Sequence, residues 1–378
     1  MFLRISCHRS VSEHDVFFPN DPTISFSIMR KYKYRVILFI LEILSLFVGC
    51  TLDAVMLTVG KDGDVFERSI TSAMEYLTDV RIFYIICPKV LEIAEKYPDL
   101  SNNNRIKFMD ESLFPFSHQD VSETMLQAVS EAGKYNLSGR SDFERYLQSR
   151  TGWYLQQLIK LYSGFVIPTI EDYLLLDGDL IWLRNVSLIN NQLSTKAKGS
   201  YFYVSSSQYH SDYLHVYKSL TGYDIFAHPK GLYRSGIVHH MVIVQSVLKS
   251  LINRIKKYDL EVHQNRSLPA WKIILRASAL QMTCHAPREK LCGSGNVLSE
   301  YELYINYALS HHPETISFRP LAWANGPRPG LLYWPEEGSF NQGNRNVWIR
   351  KVDKQIGLTS GKFHEWGMKI DGDDIRLR

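Results

Sequence analysis

Two aspartates one residue apart are the strongest chemical signal in the sequence. Asp177 and Asp179 flank Gly178, and the apolar run Tyr-Leu-Leu-Leu at residues 173–176 comes directly before them. Carboxylate oxygens are the ligands that hard divalent cations prefer, and a cation held in this way can bridge the oxygens of a diphosphate. The glycine between the carboxylates lets the backbone approach a ligand closely. The pattern therefore predicts a divalent-cation site, with a tight Asp-Gly hairpin turn as the alternative.

Two pairs of side chains could take part in the same chemistry. Gln156 and Lys160 lie four residues apart in a segment with helical spacing, which places them on one face of a helix. A lysine offers a compact positive charge to a diphosphate, and the alternative is a solvated helix face. His239 and His240 are adjacent in a strand-like run, so their side chains point to opposite faces. We therefore expect at most one of them to face a site, as an acceptor contact or a metal ligand.

The elements that must position these residues begin with alternating strands and helices. Apolar, β-rich runs at residues 53–59, 80–87 and 106–109 alternate with helical spacing at residues 66–77 and 90–97. This order predicts a parallel sheet with crossover helices. Such sheets bind ligands beyond the carboxyl ends of their strands. Two charged pairs stand at those places, Lys61-Asp62 and Asp110-Glu111.

Later segments continue the alternation. Residues 152–162 have the spacing of a helix, residues 201–204 and 235–244 read as apolar strands, and residues 246–257 form a basic, helix-like stretch. Ser299 and Glu302 have the Ser-x-x-Glu spacing of a capping box, which predicts that another helix begins there. The predicted fold class is α/β, with a mixed, mostly parallel sheet flanked by helices.

Four blocks of sequence resemble a known group of proteins. In chain order they read GWYLQQLIKL from residue 152, YLLLDGDLIWLR from 173, SGIVHHM from 235 and SEYELY from 299. Together they resemble glycosyltransferase-like proteins of the GT-A type, most of which are classed as a domain of unknown function. The resemblance implies the GT-A fold, a Rossmann-like nucleotide-diphospho-sugar transferase fold. It also implies a nucleotide-sugar donor, which we expect to be a UDP-sugar, and Mn²⁺ or Mg²⁺ held by the Asp-x-Asp pair.

The resemblance further implies roles for individual residues. Asp177 and Asp179 would be the metal ligands, and Asp179 would also have a catalytic role. The remaining residues of the donor site would include the loop after the first strand. The predicted donor-binding residues are Lys61, Asp62, Gln156, Lys160, Asp177 and Gly178.

Glu300 is the predicted catalytic base. An inverting transferase needs a carboxylate within hydrogen-bond reach of the acceptor hydroxyl, whereas a retaining enzyme needs none at that position. The capping box accounts for Glu302 and leaves Glu300 free for this role. The predicted acceptor contacts are His239, His240 and Glu302. A further metal ligand, a histidine near the end of the domain, would be one of three: His311, His312 or His364.

Composition limits the class of protein and of partner. An apolar fraction of 45% and a charged fraction of 22% exclude a disordered chain. The 43 Lys and Arg against 39 Asp and Glu give a net charge of +4, which by itself is too small to imply a nucleic-acid partner. The clearest internal basic cluster, residues 254–257, is too short to track a phosphate backbone. We expect a nucleotide sugar and a glycan-type acceptor as partners, and no nucleic acid.

The front of the chain predicts a route into a membrane compartment. A basic cluster precedes an apolar run at residues 36–50, which is shorter than the roughly 20 residues needed to span a bilayer. This order predicts a signal peptide or signal anchor at residues 29–50 behind a polar lead at 1–28, with a buried helix of the domain as the alternative. We expect a GT-A domain at residues 51–335, anchored in the Golgi or ER membrane and facing the lumen, or secreted. A polar tail at residues 336–378 would follow it.

The function that these observations predict is metal-dependent transfer of a sugar from a nucleotide sugar to a hydroxyl of a glycan, glycoprotein or glycolipid. One alternative is a sugar-nucleotide nucleotidyltransferase, which shares the sheet and the metal-binding aspartates. Residues 60–63 resemble the glycine-rich loop of that class only weakly. Another alternative is a catalytically inactive luminal binding protein on the same fold, against which the intact Asp177 and Asp179 argue.

Overall fold

The structure is a computed structural model of the full chain. It describes residues 51–59, 63–132, 140–168, 170–182, 184–190, 201–204, 210–224, 235–263, 268–284, 296–318, 368–371 and 374–377. The chain divides into two units, Met1–Gly49 and Cys50–Arg378. The polar lead and the signal segment predicted in the first fifty residues lie outside the described residues, as does most of the predicted tail. Among the described helices, none combines the length and the apolar character that crossing a bilayer requires.

Strands and helices alternate in the first half of the described chain, and helices dominate the second half. The strands and helices predicted between residues 51 and 110 are confirmed to within a few residues. In chain order the elements are β1 (Leu52–Leu57), α1 (Gly63–Tyr76), β2 (Val80–Cys87), α2 (Val90–Lys96), α3 (Pro98–Ser101), β3 (Ile106–Asp110), α4 (His118–Glu131), α5 (Arg140–Val166), β4 (Tyr173–Leu176), β5 (Tyr201–Tyr203), α6 (Ser211–Thr221), β6 (His240–Ile243), α7 (Gln245–His263), α8 (Ala270–Cys284), α9 (Glu300–His311), β7 (Ile316–Phe318), β8 (Met368–Asp371) and β9 (Asp374–Leu377).

Within the described residues, five strands form the central sheet in the order β3-β2-β1-β4-β6. Neighbours from β3 to β4 are parallel, and β6 is antiparallel to β4. Every residue of β1 and β4 is buried, as expected for inner strands of a sheet that is covered on both faces. The predicted α/β class with a mixed, mostly parallel sheet flanked by helices is confirmed. Two further strand pairs, β5 with β7 and β8 with β9, lie outside this sheet.

One edge of the sheet collects the carboxyl ends of the four parallel strands. Because β6 runs in the opposite direction, its first residue, His240, pairs with Leu176 at the end of β4. The backbone N–H of Asp177 continues this pairing and donates to the carbonyl of His239 at 2.9 Å. The segment after β4 and the segment before β6 therefore lie side by side at the carboxyl edge.

Helices α5 and α9 pack against each other beside this edge. The indole N–H of Trp153 on α5 donates to the carbonyl of Leu298 at 3.1 Å, and the side-chain oxygen of Gln157 accepts from the backbone N–H of Glu300 at 3.1 Å. Ser299 caps α9 as predicted, because its hydroxyl accepts from the backbone N–H of Glu302 at 3.3 Å. The long helix α5 thereby holds the first turn of α9 in place.

A partly buried turn after α1 anchors the chain beyond the central sheet. One oxygen of Asp79 accepts from the hydroxyl of Ser187 at 2.7 Å, from the backbone N–H of Leu188 at 2.6 Å and from that of Ile189 at 3.1 Å. These three bonds fix residues 187–189 to the turn that leads into β2.

Candidate functional site

The Asp177-Gly178-Asp179 segment lies at the carboxyl edge, directly after β4. Residues 180–182 form no strand, so the hairpin alternative is wrong. Two serines of α1 hold them instead, because the hydroxyl of Ser69 donates to the carbonyl of Leu180 at 2.8 Å and that of Ser72 accepts from the N–H of Trp182 at 3.1 Å.

Gly178 is required by the packing of the backbone at this edge. A β-carbon at this position would lie 2.8 Å from the carbonyl oxygen of Leu57 at the end of β1. Real β-carbons do not approach a backbone oxygen so closely, and a backbone oxygen cannot rotate away. Glycine therefore lets the Asp-Gly-Asp segment lie against β1, and this contact sets where the two carboxylates stand.

Asp177, Asp179 and His239 form a group that could hold a metal ion. One ligand atom from each lies within 4.8 Å of the others. Asp179 is exposed, whereas Asp177 and His239 are half-buried. The backbone of His239 has φ 63°, a left-handed conformation that costs a non-glycine residue energy and is concentrated at functional sites. This conformation breaks the predicted strand at 235–244, of which only residues 240–243 are a strand.

Three donors converge on the carboxylate of Asp177, one from α5, one from α9 and one from the segment before β6. Its Oδ1 accepts from the ammonium of Lys160 at 2.5 Å and from the hydroxyl of Tyr301 at 3.0 Å. Its Oδ2 lies 2.8 Å from Nδ1 of His239. The orientation of this carboxylate is therefore fixed by the protein itself.

Lys160 is the buried centre of an ion-pair cluster. Its ammonium lies 2.5 Å from Oδ1 of Asp177 and 2.6 Å from Oε1 of Glu300. Only 3% of the residue is exposed, so the alternative of a solvated helix face is wrong for Lys160. The prediction that it meets a diphosphate stays a prediction, and the partners that the structure gives it are carboxylates.

The cluster shifts the pKa values of its members. Burial alone would raise the pKa of Asp177, but the charge of Lys160 and the hydrogen bond from His239 lower it below its usual value. Burial would lower the pKa of Lys160, but the two carboxylates raise it. The pKa of Glu300 is raised, first by burial and then by the charge of Asp177, although Lys160 acts against both. At neutral pH, Lys160 is therefore charged and Asp177 is ionised.

The two other candidate ligands are shifted as well. Partial desolvation by the surrounding protein and then the charge of Asp177 raise the pKa of Asp179. The hydrogen bond to Asp177 raises the pKa of His239, with burial acting against it. A cation bound here would compete with a proton for His239, because metal-bound imidazole is neutral.

The residues present fit a divalent cation. Two carboxylates supply the negative charge and the oxygen atoms that Mg²⁺ and Mn²⁺ prefer. Carboxylate oxygens suit both Mg²⁺ and Mn²⁺, whereas an imidazole nitrogen in the same group is a ligand typical of transition ions. The two aspartates are the predicted ligands, and the structure brings His239 to them as the third.

The predicted acceptor residues Glu302 and His240 face protein neighbours. One oxygen of Glu302 accepts from the hydroxyl of Ser235 and, at 3.2 Å, from the N–H of Gly236. Its other oxygen accepts from the side-chain amide of Asn306 at 2.9 Å. The ring of His240 is buried, stands edge-on to Trp182 with centroids 5.1 Å apart, and has Nδ1 2.9 Å from the carbonyl of Val238.

The structure describes three of the remaining predicted residues, and the other three lie outside the described ranges. Gln156 is half-buried on α5, one turn before Lys160. His311 packs between the rings of Tyr223 and Tyr307, with centroids 4.5 Å and 4.6 Å away. His312 lies 3.7 Å from a carboxylate oxygen of Glu314. Three predicted residues lie outside the described residues: Lys61, Asp62 and His364.

Sequence reasoning missed two residues that hold the site together. Tyr301 donates to Asp177, and Gln157 accepts from the first backbone N–H of α9. Tyr301 stands within the SEYELY block, next to Glu300, and this was the signal that could have drawn attention to it. No spacing rule pairs a tyrosine with an aspartate 124 positions earlier in the chain.

The chain belongs to a family of unknown function, DUF6492, whose profile matches residues 63–318. Among solved structures, it is similar to mouse xyloside xylosyltransferase 1 in its apo form, with 12% sequence identity and a TM-score of 0.34. That alignment covers 71% of this chain and 85% of the mouse chain. No curated protein sequence matches the chain.

Proposed function

We propose that the chain is a metal-dependent glycosyltransferase, which moves a sugar from a nucleotide-sugar donor to a hydroxyl of a glycan, glycoprotein or glycolipid. The observation that carries the proposal is the convergence of Asp177, Asp179 and His239, within 4.8 Å, at the carboxyl edge of a mostly parallel sheet. Sheets of this kind bind nucleotides at that edge. The sequence blocks that resemble GT-A proteins contain all three residues.

The two aspartates of the proposed metal centre differ in exposure, and we expect them to have different roles. When bound, a divalent cation supplies Lewis-acid neutralisation of the diphosphate that leaves the donor sugar. Asp179 is exposed and so remains accessible to a ligand that arrives from solvent. Asp177 is held by Lys160, Tyr301 and His239, so its carboxylate does not have to be ordered when a ligand binds.

Glu300 has a positioning role in this proposal. A general base must reach the acceptor hydroxyl, whereas the Glu300 carboxylate is buried and lies 2.6 Å from the ammonium of Lys160. This contact holds Lys160 towards Asp177. The role of Glu300 as a catalytic base stays a prediction from the sequence, and so do the UDP-sugar donor, membrane attachment through residues 29–50 and a luminal location.

The test is thermal melting of the full chain with UDP or GDP, each with and without Mn²⁺. A ligand at a hundred times its dissociation constant stabilises the folded state by about 2.7 kcal/mol, which raises the melting temperature by a few degrees. We expect one nucleotide to stabilise the protein, and only when Mn²⁺ is present. Attachment of the sugar to an added hydroxyl acceptor, together with release of the same nucleoside diphosphate, would then identify the reaction as sugar transfer.

Two variants connect the result with the site. Asp179→Asn should abolish the Mn²⁺-dependent shift and leave the melting temperature of the free protein unchanged, because Asp179 is exposed. Asp99→Asn is the matched control, since Asp99 is also exposed but lies on α3. If neither nucleotide shifts the melting temperature of the unmutated chain, the transferase proposal is wrong.

A further inference from the structure

We propose that Tyr301 is a positioning residue for the metal ligand Asp177. The inference rests on the proposed function and adds a residue to its metal centre. The hydroxyl of Tyr301 and the ammonium of Lys160 both bind Oδ1 of Asp177, at 3.0 Å and 2.5 Å. Oδ2 faces Nδ1 of His239, another of the candidate ligand residues, at 2.8 Å.

The two donors hold Oδ1 of Asp177, and Oδ2 is the oxygen that a metal would use after Nδ1 of His239 loses the proton that it donates to Oδ2. A carboxylate with one oxygen held by two donors cannot rotate without breaking both bonds. Lys160 supplies charge, whereas the phenol of Tyr301 supplies direction, because a hydroxyl on a rigid ring has few positions from which it can donate. Hydrogen-bond partners of this kind orient metal ligands in proteins, and their loss lowers metal affinity.

The surroundings of Tyr301 make its position rigid. Only 4% of the residue is exposed, and it lies in the first turn of α9, which Ser299 and Gln157 hold at its start. The ammonium of Lys160 lies 4.8 Å from the centre of its ring, which adds a cation–π contact to the shared hydrogen-bond acceptor. The tyrosine is therefore held by its ring, its backbone and its hydroxyl.

Tyr301→Phe isolates the hydroxyl from every other property of the residue. The change keeps the ring, the cation–π contact and the net charge, and Asp177 keeps Lys160 and His239 as partners. Tyr307→Phe is the matched control on the same helix. Tyr307 is also buried, but its hydroxyl lies 2.8 Å from that of Ser250.

The experiment measures the dissociation constant of Mn²⁺ with the full chain, from the electron paramagnetic resonance signal of free Mn²⁺, together with the melting temperature of each variant. We expect Tyr301→Phe to raise the dissociation constant by about tenfold or more. Tyr307→Phe should leave it within about twofold of the unmutated chain, because that hydroxyl does not contact a ligand residue. A merely structural role of Tyr301 would change the melting temperature and not the affinity for Mn²⁺.

Three outcomes would overturn the inference. An unchanged dissociation constant in Tyr301→Phe, with Mn²⁺ bound by the unmutated chain, contradicts the inference and leaves the proposed function standing. Equal losses in the two variants show that the loss of any buried phenol on α9 weakens binding. If the unmutated chain does not bind Mn²⁺, the proposed metal centre is wrong and the inference fails with it.

Discussion

Lys160→Met is expected to destabilise the fold strongly, because it removes the cation from a buried cluster of carboxylates. The ammonium lies 2.5 Å from Asp177 and 2.6 Å from Glu300, and the exposed fractions of the lysine and glutamate side chains are 4% and 2%. Removing one partner of a buried ion pair costs about 3–5 kcal/mol, since an uncompensated charge stays in the interior. Methionine keeps the apolar stem of the lysine, so lost packing contributes little.

Adding a second substitution at Glu300 tests whether the stability lost in Lys160→Met is due to the unpaired charge. In Lys160→Met, Asp177 still accepts from Tyr301 and His239, whereas Glu300 loses its ion-pair partner. Adding Glu300→Gln removes the charge that was left behind. We expect the double variant to be more stable than Lys160→Met, and the coupling energy between the two substitutions to be about 0.5–3 kcal/mol, the usual range for contacting residues.

The loss in Lys160→Met should be larger at pH 7 than at pH 5. Burial already raises the pKa of Glu300, and the ammonium that opposes this shift is removed. A carboxyl whose pKa is raised on folding favours the folded state while it is protonated. Once ionised, the same carboxyl destabilises the folded state. The free energy of unfolding therefore falls as the pH rises from the pKa of the carboxyl in the unfolded chain, about 4.3, through its pKa in the folded chain. The penalty therefore grows over this interval.

Urea unfolding of the full chain at the two pH values measures these differences. Lys249→Met is the control, because Lys249 is exposed on α7 and bonds to Gln245, so we expect a change within about 0.5 kcal/mol. The reasoning is refuted if Lys160→Met stays within about 1 kcal/mol of the unmutated chain at pH 7, below the cost of an unpaired buried charge. It is also refuted if the double variant is no more stable than the single one.

Three further predictions concern the packing around the site. Gly178→Ala should lower the free energy of unfolding in urea by about 1–3 kcal/mol and weaken Mn²⁺ binding, because its β-carbon would lie 2.8 Å from the carbonyl oxygen of Leu57. An unchanged stability would contradict this prediction. Asp79→Ala should cost about 2–4 kcal/mol by the same measurement, since it leaves three donors at residues 187–189 without their acceptor, whereas Asp79→Asn keeps an oxygen there and should lose less. Burial, and then nearby carboxylates, raise the pKa of Cys87 to about 12. Its alkylation by iodoacetamide at pH 8, followed by peptide mass spectrometry, should be on the order of a thousandfold slower in the native chain than in urea, and equal rates would show that the thiol is accessible.

The local pattern of the sequence was sufficient for the strands and helices between residues 51 and 110 and for the place of the aspartates. Continuous apolar runs predicted β1 and β2, because inner strands of a parallel sheet are buried on both faces. The Ser-x-x-Glu spacing predicted the start of α9, where the Ser299 hydroxyl does cap the helix. The side chain of Glu302, which the same spacing assigns to the cap, binds Ser235 and Gly236 instead. The hydrogen bond between the Ser299 hydroxyl and the backbone N–H of Glu302 was thus predictable from the sequence. The direction of the Glu302 side chain, which had a second set of partners in the tertiary structure, was not.

The sequence by itself determined that two carboxylates follow a buried strand of an α/β fold, because strand periodicity and the Asp-Gly-Asp order are properties of neighbouring residues. Only the tertiary structure decided what these carboxylates contact. Asp177 and Glu300, which both bind Lys160, lie 17 and 140 positions from it in the chain, and His239 lies 62 positions from Asp177. No local pattern carries such pairings. They arise because β6 runs antiparallel to β4 and because α5 packs against α9, which brings a lysine, a tyrosine and a histidine to one carboxylate.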